Sequence, residues 1–284
     1  MSAQSIHQKI SALGQTLTDS ESRLAQVMLD NVSQLASYSA TELAELAGVS
    51  KATAVRFFKR LGYASFSELR LQARQSQDTA SPLFLMMTGK YAENELSYVE
   101  QHAANEMRNL AQTFEQIEAQ QLKQALQLMK QAEKVYVVGF RSSRHLAHYM
   151  WLLLSQIRSN VVLIPSQNGM HLTEELVDLS EHDLVLMMDY RRRVTLIEQI
   201  AAHAAMVNAK ILRFTDLSAT ELSVPTQLTL RTWIRSTGMF DSYTAATSLI
   251  NAVCTQLAVE QRELTQDRLN KIEQLHDHYQ DLDL

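Results

Sequence analysis

A chain of 284 residues, 46% of them hydrophobic, with only three prolines and seven glycines, can build two ordinary cores from long helices with few irregular loops. Its single cysteine excludes an intramolecular disulfide and a cysteine-based zinc finger, and without an apolar run of about 18 residues or a signal core we expect a cytoplasmic protein with no membrane span. The net charge of −5 divides into +2 over residues 1–76 (eight Lys/Arg against six Asp/Glu) and −7 over the rest (18 against 25), which argues against a polyanion-coating role.

The first predicted helix runs through ESRLAQVMLDNV, capped by Thr18 or Asp19, with Leu24, Val27 and Met28 on its inner side. A second begins near Ser39, and TELAELA places Leu43, Leu46 and Ala47 at the spacing of one buried face. Gly48 ends it where a sharp turn needs positive φ. Ser50 is a good N-cap for the next helix, in which Ala54, Val55, Phe58 and Leu61 gather on one side and Thr53, Arg56, Lys59 and Arg60 on the other. This is the pattern of a helix-turn-helix whose second helix enters a major groove, reading base edges and gripping phosphates. The plainer alternative is a bundle helix with a solvated basic face. A fourth helix starts at about Ser65, and the pattern dissolves from Ser76. We therefore expect an all-α N-terminal domain over 1–76, a linker over 77–92 and a second domain over 93–284.

A helix from about Ala92 to Gln112 and another to Ala132 open the second domain. The period then changes: residues 135–139, 161–165, 183–189, 210–216 and 226–231 are short apolar runs rich in β-formers, and helices separate the first four. That alternation predicts an α/β domain with a five-stranded parallel sheet, flavodoxin-like, covered on both faces. From Phe240 the chain reads as helical, and SYTAATSLINAVCTQLAV is apolar nearly all round, which points to a buried helix at a subunit interface and to Cys254 as a packing residue.

An open parallel sheet binds ligands beyond the carboxyl ends of its strands. Three such ends carry polar groups: Gly139 to Ser143, with Arg141, Ser142 and Ser143; Asp189, Tyr190, Arg191, Arg192 and Arg193, followed by Thr195; and Thr215-Asp216. Arginine forks match phosphate or carboxylate oxygens two at a time, so the three arginines either hold an anion or pair with neighbouring Asp and Glu. His145 and His148 have the spacing of metal ligands but no third partner, so no metal is expected. His171 and Glu174 have the spacing of an acid/base pair, with a hydrated helix start as the plainer reading. Trp151 and Trp233 read as packing residues.

LTDSESRLAQVMLDN and YSATELAELAGVSKATAVRFFKRLGYASFSELR resemble the DNA-binding domain of RpiR-type (MurR/RpiR) bacterial transcription regulators, and VYVVGFRSSRHLAHYMWLLL with the later strands resembles their sugar isomerase (SIS) domain. The resemblance implies a non-enzymatic regulator without cofactor, a homodimer or homotetramer that binds double-stranded operator DNA. A small anionic metabolite, usually a phosphosugar, would alter that grip. It implies Ser50, Lys51, Thr53, Arg56, Lys59 and Arg60 as DNA contacts, and Ser142, Ser143 and the 189–195 turn as ligand groups. Two loops depart from the pattern. Arg141 stands where the first SIS loop has its second glycine, and Asp189 to Val194 replaces the hydroxyl-rich second loop. A carboxylate effector, or a SIS domain used only for assembly, fits these changes too. A phosphosugar isomerase-like enzyme is the remaining alternative.

Overall fold

The computed structural model describes residues 6–13, 17–30, 35, 38–70, 73, 95–166 and 171–281. The chain divides into two compact units, Met1–Lys90 and Tyr91–Leu284. The expected linker, 77–92, lies outside the described residues.

The first unit contains α1 (Ile6–Leu13), α2 (Asp19–Asp30), α3 (Ala40–Leu46) and α4 (Lys51–Arg60), with a further helical stretch at 66–70. Local chemistry sets each boundary. Thr18 and Glu21 bond reciprocally at the start of α2, and Ser39 and Glu42 form a capping box on α3. Gly48, at φ +61°, closes α3 as the Val49 amide donates to the Ala44 carbonyl (2.9 Å); Gly62, at φ +86°, closes α4 as the Tyr63 amide donates to the Phe58 carbonyl (3.1 Å). Ile10, Leu24, Met28, Leu43, Phe57, Phe58 and Leu69 are among the residues of a single core.

Two positions differ from the sequence reading. The buried stripe of α4 is Ala54, Phe57, Phe58 and Leu61, whereas Val55 is 38% exposed. At about 100° per residue Val55 stands at the edge of that stripe and Phe57 inside it. On α3 the buried residues are Leu43, Ala44 and Ala47, and Leu46 is 55% exposed for the same geometric reason.

In the second unit α5 (Glu95–Gln116) and α6 (Ala119–Gln131) precede β1 (Val135–Gly139), α7 (Ser143–Ile157), β2 (Val161–Ile164), α8 (Leu172–Leu176), β3 (Leu184–Asp189), α9 (Leu196–Met206), β4 (Lys210–Asp216), β5 (Leu228–Thr232), α10 (Thr244–Glu260) and α11 (Arg262–Tyr279). The sheet is parallel throughout, in the order β2-β1-β3-β4-β5. Strand alternation splits the core in two. Val135, Val137, Leu186, Met188, Leu212 and Phe214 pack with α6, α7 and α10, and Tyr136, Val138, Val185, Met187 and Ile211 pack with α8 and α9. Much of the apolar character of α10 is used inside this unit: Ala245, Ala246, Leu249, Ile250, Val253, Cys254 and Leu257 are buried within the chain itself.

Candidate functional site

The outer side of α4 is built by its cap. Ser50 Oγ accepts from the Thr53 amide (3.1 Å) and lies 2.9 Å from Thr53 Oγ1, so both hydroxyls serve the first turn of the helix. Lys51, Arg56 and Lys59 are exposed, and Val55 shares their face. Arg60 is exposed too, but its guanidinium binds Glu21 at 2.6 Å and so ties α4 to α2. The Thr18 amide, and after it Arg60, hold the Glu21 carboxyl below its ordinary range. The outward surface of this helix thus offers cations around an apolar edge, which matches phosphates flanking a base edge.

In the second unit the strand order reverses between β1 and β3, where parallel α/β sheets open a crevice. The loop after β1 is set by a close approach: a Cβ on Gly139 would stand 2.7 Å from Ala147 Cβ and 2.7 Å from the Ser143 carbonyl oxygen. Arg141 then adopts φ 52°, the left-handed conformation that glycine favours, so the arginine keeps a glycine-like backbone. Ser143 is buried, and its Oγ accepts the Tyr190 amide (3.2 Å). Ser142 is exposed, with its Oγ 3.1 Å from Tyr243 Oη. The β1 loop is therefore laced to the β3 loop and to the start of α10.

Three arginines face three aspartates at the strand ends. Asp189 (2% exposed) accepts from Nε of Arg213 (1% exposed) at 2.9 Å and also from its Nη2. Asp216 accepts the Arg191 amide (3.0 Å), Nη2 of Arg193 (2.5 Å) and the Ser218 amide (2.7 Å). Nη1 of Arg191 binds Asp241 at 2.8 Å, and Tyr243 Oη donates to the Arg191 carbonyl (2.8 Å). Burial raises the Asp189 carboxyl above its ordinary value, with Arg213 and Arg193 opposing the shift. Burial also pushes the Asp241 carboxyl up to about 6, against the pull of Arg191, and the Tyr243 phenol up to about 12. Buried pairs of this kind cost desolvation, so removing one partner strands the other.

The residues expected to form the site divide by geometry. Asp189, Arg191 and Arg193 lie in the network, whereas Tyr190 is buried in the apolar core, its amide donating to Ser143 Oγ and its hydroxyl accepting from Thr232. Arg192 is exposed, with no ion pair or hydrogen bond among the described residues, and Thr195 caps α9 without a side-chain bond. Arg141 and Ser142 are exposed beside it, and Ser143 is structural. Arg213, Asp241 and Tyr243 join the network from outside the expected set. An arginine inside the apolar run KILRFTD is a visible anomaly, whereas Asp241 lies 50 residues from its partner and carries no local signal. His145 packs on the Tyr243 ring (5.3 Å) and His148 on Trp151 (5.4 Å). His171, the N-cap of the short α8, and Glu174 on it are exposed.

A helical unit with a capped recognition-type helix, joined to a flavodoxin-like sheet with a strand-end crevice, defines a helix-turn-helix protein with a SIS-type second domain. The family model for the helix-turn-helix domain of the rpiR family matches residues 4–80, and the SIS domain model matches 128–256. Together they take in well over half of the chain, which belongs to the RpiR-type family of transcription regulators. The sugar isomerase domain of the RpiR transcription factor from Sphaerobacter thermophilus is similar at 22% identity and TM-score 0.58, over 62% of this chain and 98% of that one. The Vibrio vulnificus NanR protein, complexed with ManNAc-6P, is similar at 17% identity and TM-score 0.58, over 96% and 98% of the two chains. No curated protein sequence matches the chain.

Proposed function

We propose that this regulator binds double-stranded operator DNA through α4 and that a small anionic metabolite in the strand-end crevice modulates the binding. One observation carries the DNA half: Lys51, Arg56 and Lys59 are exposed on a helix whose opposite stripe is wholly core. In this reading Arg56 reads a base or grips a phosphate, Val55 supplies an apolar edge for a thymine methyl, and Ser50, Thr53 and Arg60 hold the helix in place. The protein acts in the cytoplasm as a homodimer or homotetramer, setting two such helices about 34 Å apart, or a multiple of that.

The effector is a phosphosugar or carboxylate that meets Arg192, Arg141 and the rim of the ionic network. The NanR neighbour makes N-acetylmannosamine 6-phosphate the first compound to try. We read the chain as a regulator without enzymatic activity, because the loop arginines 191 and 193 are paired with carboxylates and His171 and Glu174 stand exposed at the start of α8.

Arg56→Ala tests the reading. On a DNA fragment selected from random sequence by the wild-type protein, a gel-shift titration should show affinity lower by about 1–3 kcal/mol, with folding unchanged. Unaltered binding removes Arg56 from the interface.

A further inference from the structure

The chain between β5 and α10, residues 233–243, is an irregular strap with one end in the crevice and its length along α5. At the crevice Asp241 holds Arg191, and Tyr243, the last residue of the strap, bonds the Arg191 carbonyl. Along α5 the strap meets a polar stripe. Asn109 Nδ2 donates to the Arg235 carbonyl (2.8 Å), and the Arg235 amide donates back to Asn109 Oδ1 (3.2 Å). The Trp233 amide donates to Thr113 Oγ1 (3.0 Å), and Ser242 Oγ donates to Glu106 Oε2 (2.6 Å). Glu106, Asn109 and Thr113 follow at i, i+3 and i+7, so they share one helix face. Asn109 and Thr113 are both 0% exposed. Buried polar side chains on a helix need partners, and here the strap backbone supplies them.

We propose that Asp241 is an internal stand-in for the effector's anionic group, and that its displacement from Arg191 is passed by the strap to α5. The proposal deepens the effector reading above and rests on it. An incoming phosphate or carboxylate offers the Arg191 fork the same kind of oxygen that Asp241 offers, so one anion replaces another on a cation that stays paired throughout. Asp241 is a poor tenant of its position, since burial disfavours its charged form, and it can leave for water or take up a proton. Once it leaves, the strap keeps the Tyr243 bond but loses its ionic anchor in the crevice, and it grips Glu106, Asn109 and Thr113 less firmly. α5 begins at Glu95, directly after the expected linker in the chain, so a change in α5 is covalently continuous with the DNA-binding unit. The effector can shift α5 only by as much as it prefers the released strap.

The test uses the full chain with Asp241→Asn, Asp241→Glu and Arg191→Met. Amide hydrogen exchange is followed by mass spectrometry, and binding of N-acetylmannosamine 6-phosphate by calorimetry. Without any ligand, Asp241→Asn should speed exchange about tenfold in the strap and in the α5 turns around residues 106–113, leaving β1 and α9 as in wild type. It should also bind the sugar phosphate about tenfold more tightly, because Arg191 has lost its competitor. Arg191→Met should loosen the same α5 turns and abolish binding, and Asp241→Glu should restore wild-type exchange. If both pair-breaking variants leave α5 exchange unchanged, the coupling is wrong. Weaker binding by Asp241→Asn than by wild type overturns the stand-in role, since Asp241 would then belong to the ligand's own contacts. Absence of binding by wild type and Asp241→Asn alike counts against the effector reading and takes the stand-in with it, and the exchange data then judge the strap alone.

Discussion

Gly139 illustrates how one missing side chain sets the geometry of a crevice. Its hydrogen atom lets α7 start close against β1, which brings Ser143 to the Tyr190 amide and so fixes the spacing of the loops after β1 and β3. Gly139→Ala should destabilise the protein by about 1–3 kcal/mol, the usual cost of overpacking a tight contact. Urea unfolding checks this, and an alanine variant as stable as wild type would mean that α7 slides freely along the strand. The glycine is readable in the sequence as a strand end. The three-and-three ionic network is not, because its members come from β3, β4 and the strap, and only the fold brings them together. Three consecutive arginines leave open an outside anion or carboxylates of the same chain; Arg191 and Arg193 meet carboxylates of their own chain, and of the three only Arg192 is exposed.

The helices of the first unit are legible because their signals are local. Caps and C-terminal glycines act within five residues, so Ser39, Gly48, Ser50 and Gly62 declare boundaries without knowledge of the fold. Ser50→Ala should cost about 1 kcal/mol and raise amide exchange along Lys51–Arg60, with the remaining core little affected. Exchange equal to wild type would show that packing of Phe57 and Phe58 alone holds the helix start. Burial is less legible than helicity. Leu46 and Val55 have apolar side chains at stripe edges, where only the position of the neighbouring helix decides their exposure. The same holds for α10, whose apolar residues do not tell from sequence that α5, α6, α7 and α11 of its own chain pack against it. The strands, by contrast, follow their apolar runs to within one or two residues.

The charge of the protein as a unit hides its working parts. A net −5 would repel a polyanion, yet residues 1–76 carry +2, and four exposed cations of that unit lie on one helix, Arg60 among them paired with Glu21. Affinity built this way comes from few contacts and therefore depends on salt through few released counterions. Lys59→Ala should lower the slope of log affinity against log salt by about 0.9 for each DNA-bound copy, measured by titration on the selected fragment at several salt concentrations. An unchanged slope would place Lys59 off the phosphate backbone.

Arg141 sits with φ 52°, where a residue bearing Cβ is strained by about 1–2 kcal/mol relative to the right-handed region and glycine is at ease. Folding alone would favour the bare backbone at that point. The molecule accepts a small loss of stability and carries a guanidinium at the lip of the strand-end crevice.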